Sequence, residues 1–337
     1  MARPEYQIAD DPALGRWLRR AVTVPGYILV WLLFAVLLLP LMAVTALVDL
    51  ALRAPLPRAR FVACLFWVTT CDMVGLGGAL VNWLTGLVAP ERATRANRAL
   101  QVWWAKTLFA GGRLTLSMKL ELDGDPPSER GHVLVLARHC SLADTILPIA
   151  LLPYFDWRYV LKRELLLHPC LDIVGQRLPT AFVRRGLGQN NTAEIARVAR
   201  LGPDLGHNEA VGIFPEGTRF TPERRAHLLE RLVASGDAQR RAEAEALTHT
   251  LPPRPGGVMA LLDTAPRADV LILSHSGLEN AARLADVWRG RLVGRTLRVK
   301  IERFSRDSLP DTPEERRAWL AQRWQEVDRW IEKTATS

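Results

Sequence analysis

Cysteine is scarce in this 337-residue chain, and no two of Cys64, Cys71, Cys140 and Cys170 stand at metal-ligand spacing. No metal is expected, and the few thiols fit a reducing cytoplasm. Zinc-finger spacing, a basic and aromatic RNA-binding signature and internal repeats are also missing. The net charge of +9 therefore lacks the motifs that would direct it to nucleic acid, and no nucleic-acid partner is expected. The most informative absence is of charge itself: none occurs from Ala21 to Val48.

That stretch includes "GYILVWLLFAVLLLPLMAVTALV" (26–48), long enough to cross a hydrocarbon core of roughly 30 Å as a helix. A signal peptide has an apolar core of only about 7–15 residues, so a retained anchor fits better. A second segment, 61–90, carries one charge, Asp72, amid several glycines. An acid in hydrocarbon is costly and faces protein or water. Arginines flank both segments: Arg16, Arg19 and Arg20 before them, Arg53, Arg58 and Arg60 between, Arg92, Arg95 and Arg98 after. Two full crossings would place the middle group outside, against the positive-inside tendency. A shallow hairpin keeps all three groups on the cytoplasmic side and is favoured. The expectation is a membrane-anchoring region over residues 1–98, with apolar helices at about 26–52 and 61–90, in the inner (cytoplasmic) membrane. Arginine beside apolar segments also points the net charge toward anionic lipid.

The rest, residues 99–337, reads as a catalytic domain. "RALQVWWAKTLFAGG" (98–112) has the pattern of an amphipathic helix ending at Gly111-Gly112, with tryptophans suited to a membrane interface. "RLTLSMKLELDG" (113–124) alternates, with Leu114, Leu116, Met118, Leu120 and Leu122 on one side, and predicts a half-buried strand. Short apolar runs follow at 132–137, 158–161, 180–183, 210–214 and 269–273, and "TLRVKIERF" (296–304) is a further strand. Helical stretches separate them, including 191–202, which Asn191 or Thr192 can cap. Strands alternating with helices predict an α/β domain with a largely parallel sheet flanked by helices. A charged insertion at about 221–254 reads as a helix plus a stiff turn, "LPPRPGG". The tail has Pro313 in its first turn, a Thr312 and Glu315 capping box, and an apolar face of Trp319, Leu320, Trp324, Val327, Trp330 and Ile331.

Three short motifs carry chemistry. In "ARHCSLAD", His139 and Asp144 fall where the strand 132–137 turns into a helix, so the two side chains can meet. A carboxylate on one imidazole nitrogen fixes the tautomer and makes the other nitrogen a general base. Alone, the spacing is also what an ordinary helix start offers. "FVRRG" sets Arg184 and Arg185 at a strand end, where ligands gather in open parallel sheets and arginine pairs with phosphate. In "FPEGTRF" (214–220), Pro215 ends a strand and Gly217 permits a tight turn. Its backbone N–H groups, the Thr218 hydroxyl and Arg219 can cradle phosphate, with Glu216 restraining Arg219 or neighbouring donors. Cys140 and Ser141 adjoin His139, but adjacent side chains diverge; Cys140 is expected as buried filler and Ser141 as a cap. His132, His168, His207, His227, His249 and His275 show no partner pattern.

In this order and spacing, from about Trp103 to Ser276, the motifs resemble those of the glycerophospholipid acyltransferase family, best known for 1-acyl-sn-glycerol-3-phosphate acyltransferases. "YVLKRELLLHP" (159–169) is similar to the family's lysine-and-glutamate stretch, with Lys162, Glu164 and Pro169 in matching places. The resemblance implies a catalytic pair of His139 and Asp144, with Arg185, Glu216, Gly217, Thr218, Arg219 and Lys162 binding substrate. It implies a membrane-bound enzyme moving a fatty acyl group from acyl-CoA or an acyl-carrier protein to lysophosphatidic acid, giving phosphatidic acid. The partners are then membrane lipids, the lysophospholipid acceptor and the thioester donor, with no separate cofactor. Another lysolipid acceptor, or a non-catalytic lipid-binding protein of the same fold, are the alternatives. Two departures stand out: Arg138 replaces the asparagine that commonly precedes the histidine, and "LILSHSG" (271–277) has Ser274 and His275 where the fourth motif is V-P-V-like.

Overall fold

The computed structural model describes residues 11–127, 129–184 and 192–335. Three long helices come first: α1 (Ala13–Ala51), α2 (Pro57–Val88) and α3 (Pro90–Thr115). An α/β unit follows, with β1 (Lys119–Asp123), β2 (Val133–Ala137), α4 (Leu147–Leu151), β3 (Asp156–Lys162) and α5 (Pro169–Gly175). Then come β4 (Thr180–Val183), α6 (Thr192–Ala199) and β5 (Glu209–Ile213). The charged insertion forms two helices, α7 (Pro222–Ser235) and α8 (Ala238–Glu245). The chain ends with α9 (Pro255–Thr264), β6 (Asp269–Ser276), α10 (Leu284–Trp288), β7 (Thr296–Phe304) and α11 (Pro313–Ala335).

Among the described residues the strands make one sheet in the order β1-β7-β6-β2-β5-β3-β4. The strands from β6 to β4 are parallel; β7 runs antiparallel to β6, and β1 parallel to β7. The sheet is thus largely parallel, as the alternation of strands and helices implies. β2 reads as an unbroken apolar run because both of its faces are covered. Val133, Val135 and Ala137 pack with Phe155, Trp157 and Tyr159 on one side. Leu134 and Leu136 pack with Leu261, Leu262 and Trp324 on the other. The chain leaves β2 toward β3 and leaves β5 in the opposite direction toward β6. Their carboxyl ends therefore flank the crevice where open parallel sheets hold ligands.

The strand expected over 113–124 is shorter and starts later. α3 continues through Gly111 and Gly112 to Thr115, a turn with Ser117 at φ 53° follows, and β1 begins at Lys119. Leu116 and Met118 are buried, but in that turn; β1 is an edge strand that exposes Leu122. The glycine pair does not stop the helix, because Gly111 serves a close approach between helices. A Cβ there would lie 1.8 Å from Trp67 Nε1, whose N–H donates to Thr107 O at 2.9 Å.

α1 and α2 are long and apolar enough to cross a bilayer. At 39 residues α1 extends about 58 Å, and only Thr45 and Asp49 along it are buried. Leu29, Leu33, Leu37 and Leu47 are exposed, a surface that water solvates poorly. Asp72 in α2 faces protein, as an acid in that setting must. Its carboxylate accepts from Trp104 Nε1 at 2.8 Å and from the Tyr27 hydroxyl, with His168 Nε2 at 3.2 Å. His168 thus has a partner that sequence spacing did not show.

Both ends of this helical pair touch the α/β unit. At the start of α1, Arg19 and Arg20 each donate to the buried Asp172 at 2.8 Å. Across the turn between α1 and α2, Arg58 at the start of α2 pairs with Asp49 near the end of α1 at 2.8 Å. Beyond it Arg60 donates to Thr115 O at 3.0 Å and Ser117 Oγ at 2.5 Å, and Phe61 meets Trp288 edge-on at 5.5 Å. Farther along α2, Ala79 O accepts from Arg177 at 2.6 Å. In α3, Arg98 pairs with Asp156 and, at 2.8 Å, with Glu209.

Gly111→Val would force a branched side chain into the Trp67 indole, and overpacking of this kind costs about 1–3 kcal/mol. The thermal midpoint of the detergent-solubilised protein should fall, while Gly112→Ala, where a Cβ meets nothing within 4 Å, should leave it level or higher.

Candidate active site

The site begins where β2 ends. Arg138 N donates to Leu273 O at 3.1 Å, extending the pairing with β6 by one residue. The chain then turns through His139–Leu142, and a 3-10 turn at Ala143–Thr145 brings Asp144 back to the histidine. His139 Nδ1 lies 3.1 Å from Asp144 Oδ2. The same oxygen accepts from the backbone N–H of Cys140 at 2.6 Å and of Ser141 at 2.7 Å. Oδ1 accepts from the Ser141 hydroxyl, and Ser141 Oγ accepts in turn from Ala143 N at 3.1 Å. Burial alone would raise the Asp144 carboxyl, but His275, His139 and Ser141 around it hold it well below the usual carboxylate range. It is a carboxylate at neutral pH, and it fixes the turn as well as the imidazole.

"FPEGTRF" wraps the other side of His139. Phe214 stacks on the imidazole at 4.4 Å between centroids. Glu216 is buried and bonds to backbone: Oε1 accepts from His139 N and Oε2 from Leu251 N, each at 2.9 Å. Phe220 N donates to His139 O at 2.6 Å, so both backbone groups of the histidine are held by this one loop. Gly217 has φ +67°, in the left-handed region that favours glycine. The end of the insertion braces the loop from below. Arg254 N donates to Pro215 O at 2.8 Å, while Asp328 of α11 receives Thr248 N at 3.0 Å and His249 N at 2.8 Å.

The cationic residues gather at the same end of the sheet. Arg219 is half-buried and donates to Ala282 O at 2.7 Å; burial, and then Arg224 beside it, lower its pKa. Thr218 is half-buried on the same turn. Lys162, the last residue of β3, pairs in register with Val183 of β4, and its Nζ lies 3.2 Å from Glu164. Arg184 follows β4 directly and is exposed. Arg185 and the candidate cap Asn191 lie outside the described residues. The structure thus brings together His139, Asp144, Glu216, Gly217, Thr218 and Arg219, with Lys162 two strands from β2. Cys140 is fully buried, and burial pushes its thiol well up, as a filler position requires.

Two residues at this centre stood out in the sequence only as departures from the family pattern, with no role attached. Arg138 is fully buried, with Nη1 donating to His275 O at 2.6 Å and to Glu279, and Nη2 donating to His249 O at 2.8 Å. His275 is also fully buried and reaches Asp144 Oδ1 at 3.4 Å. The period of β6 held the signal: Leu271, Leu273 and His275 share a face, and the first two lie in the core cluster that contains Ala137 and Cys140. Chemically, an imidazole fixed at Nδ1 by a carboxylate presents Nε2 as a proton acceptor beside a cationic turn.

Residues 119–275 match the family model described as acyltransferase. Among solved structures, the chain is similar to PlsC from Thermotoga maritima, a 1-acyl-sn-glycerophosphate (LPA) acyltransferase. The match has 18% identity and a TM-score of 0.54, covering 82% of this chain and 95% of that one. At that identity the likeness is one of fold.

Burial pushes the Glu216 carboxyl up to about 8 from 4.5, against the pull of the two N–H groups it accepts. The folded protein therefore holds a proton there that the unfolded chain has released. This contribution to stability is full below about 4.5 and lost as pH rises through about 8. Glu216→Gln removes the titration, so the gap in thermal midpoint between wild type and variant should narrow as pH rises across that window. A gap independent of pH would contradict the assignment.

Proposed function

We propose that the acyltransferase domain transfers a fatty acyl group from an acyl thioester to the free hydroxyl of lysophosphatidic acid, giving phosphatidic acid at the cytoplasmic face of the inner membrane. The observation that carries this reading is the His139–Asp144 pair, 3.1 Å apart, gripped at its backbone by the "FPEGTRF" loop. A thioester is already activated, so the acceptor hydroxyl needs only to lose its proton as it attacks. His139 Nε2 takes that proton while the oxygen bonds to the acyl carbon. The carbon–sulfur bond then breaks, and the departing thiolate recovers the proton from the imidazolium. Asp144 stabilises that imidazolium without itself being protonated. Donors of the Gly217 turn stabilise the oxyanion that forms in between.

Arg219, Thr218 and Lys162, together with Arg185, are the groups we assign to the acceptor phosphate. Holding the phosphate aims the hydroxyl at His139 and replaces a chance encounter by an oriented one. Glu216 acts on the same turn from beneath, through the backbone of His139 and Leu251. A lysophosphatidic acid acceptor is supported by the cationic turn and by the substrate named for the Thermotoga maritima structure.

Lipid access follows from the helices. Arg19 near one end of α1 and Phe61 just past the other touch the α/β unit, through Asp172 and Trp288. A charged domain cannot flank a helix through the hydrocarbon, so we place α1 and α2 along one leaflet, the apolar face of α1 in lipid. The arginine groups then stay on one side of the membrane.

His139→Ala should lower turnover of acyl thioester with lysophosphatidic acid by about 10²–10⁴-fold while the thermal midpoint holds. Unchanged turnover would remove His139 as the base, whereas a wild type without turnover would leave a non-catalytic lipid-binding protein. Arg219→Ala should raise KM for the acceptor more than it lowers kcat. Cysteines introduced across residues 53–60 should resist a membrane-impermeant thiol reagent applied outside intact cells. Labelling there would replace the one-leaflet arrangement by a crossing one.

A further inference from the structure

The two places where the chain departs from the family pattern, Arg138 and His275, meet each other and the catalytic carboxylate. Arg138 Nη1 donates to His275 O at 2.6 Å, and His275 Nε2 returns to Arg138 O at 3.2 Å. The same Nε2 lies 3.4 Å from Asp144 Oδ1, the carboxylate oxygen that His139 does not use. Asp144 therefore stands between two histidines, one on each oxygen.

We propose that His275 is a positioning residue for the acyl transfer: its neutral Nε2–H, anchored by Arg138, fixes the plane of the Asp144 carboxylate and tempers its charge, and so sets the protonation of His139. This deepens the function proposed above and rests on His139 being the base.

The tautomer follows from its surroundings. Nε2 faces two acceptors, Arg138 O and Asp144 Oδ1, so it carries a proton. Nδ1 is buried and has no hydrogen-bond partner among the described residues, so it has no acceptor to stabilise a second proton. The charged groups facing this cluster are Arg138 at the end of β2, Asp144 in the 3-10 turn and Glu279 after β6; the protonated Glu216 in the loop after β5 and the Cys140 thiol complete it. Burial, opposed by Asp144, lowers the pKa of His275. His275 thus acts through its N–H dipole, and His139 alone of the two carries the proton in turnover. An N–H dipole 3.4 Å from Oδ1 offsets part of the charge on Asp144, which makes the His139 imidazolium less favourable and keeps the base unprotonated near neutral pH. The anchor is rigid because Arg138 also ties His249 O and Glu279 together.

Glutamine and asparagine separate reach from polarity at this site. The amide nitrogen of Gln reaches about as far as an imidazole Nε2, whereas that of Asn stops one bond short. His275→Asn should lower kcat roughly tenfold, the size of one hydrogen bond to a charged group. KM should stay within about twofold, and the acidic limb of the kcat/KM profile should move upward by about half a pH unit or more. His275→Gln should keep both near wild type. In ¹⁵N-histidine spectra of the wild-type protein, assigned by the Gln variant, His275 should keep a bare Nδ1 and a protonated Nε2 from about pH 5.5 to 9. Equal behaviour of the Asn and Gln variants, or titration of His275 in that range, would overturn the proposal. The spectra decide even where the Asn variant fails to fold, and they are independent of turnover. A wild type inactive toward every thioester would instead overturn the function itself.

Discussion

The arrangement of the site depends on one buried carboxylate. Asp144 gathers the His139 imidazole, two backbone N–H groups and a hydroxyl onto its two oxygens, and so folds the chain after β2 into a closed turn. Leaving such a group unpaired in the interior would cost several kcal/mol, on the order of a broken buried ion pair. The turn that satisfies the carboxylate also aims the histidine, so local stability and chemical orientation have one cause. Glu216 repeats the arrangement from the next strand, closing the "FPEGTRF" loop over His139 through backbone N–H groups. Two buried acids thus hold a geometry that the apolar strands beneath could not fix alone.

The helices carry the same linkage outward. The arginines that flank the apolar segments bond to acids and backbone of the protein itself. Arg19 and Arg20 bind Asp172, Arg60 binds the turn before β1, and Arg98 binds acids of β3 and β5. Asp72, within the second apolar segment, is held by side chains of α1, α3 and the chain before α5. The helix pair is thus fastened to the unit whose sheet carries His139 and Asp144 at its crevice.

Much of this was legible in the sequence because its signals were local. The central strands appeared as apolar runs, α11 was announced by its Thr312 and Glu315 capping box, and His139 with Asp144 lay within one turn of each other. The misplaced strand start had a local cause too. Gly111 looked like a helix stop, yet its missing side chain is needed by Trp67, a residue 44 positions earlier that only packing reveals. Glu216 looked like a group for the loop's own donors, whereas its oxygens bond to backbone 77 and 35 residues away. Arg138 and His275 stood out as departures without a role for the same reason: they are 137 positions apart and meet only when β2 and β6 pair. Chemistry carried by a loop was readable; chemistry assembled across the sheet was not.

The central claim is acyl transfer to a phosphate-bearing lysolipid. The most direct measurement is release of free thiol from acyl-CoA and from acyl-carrier protein by the purified protein in anionic vesicles, with and without lysophosphatidic acid. Release should require lysophosphatidic acid and match phosphatidic acid formed, mole for mole. No release from either donor, or release indifferent to the acceptor, would contradict it.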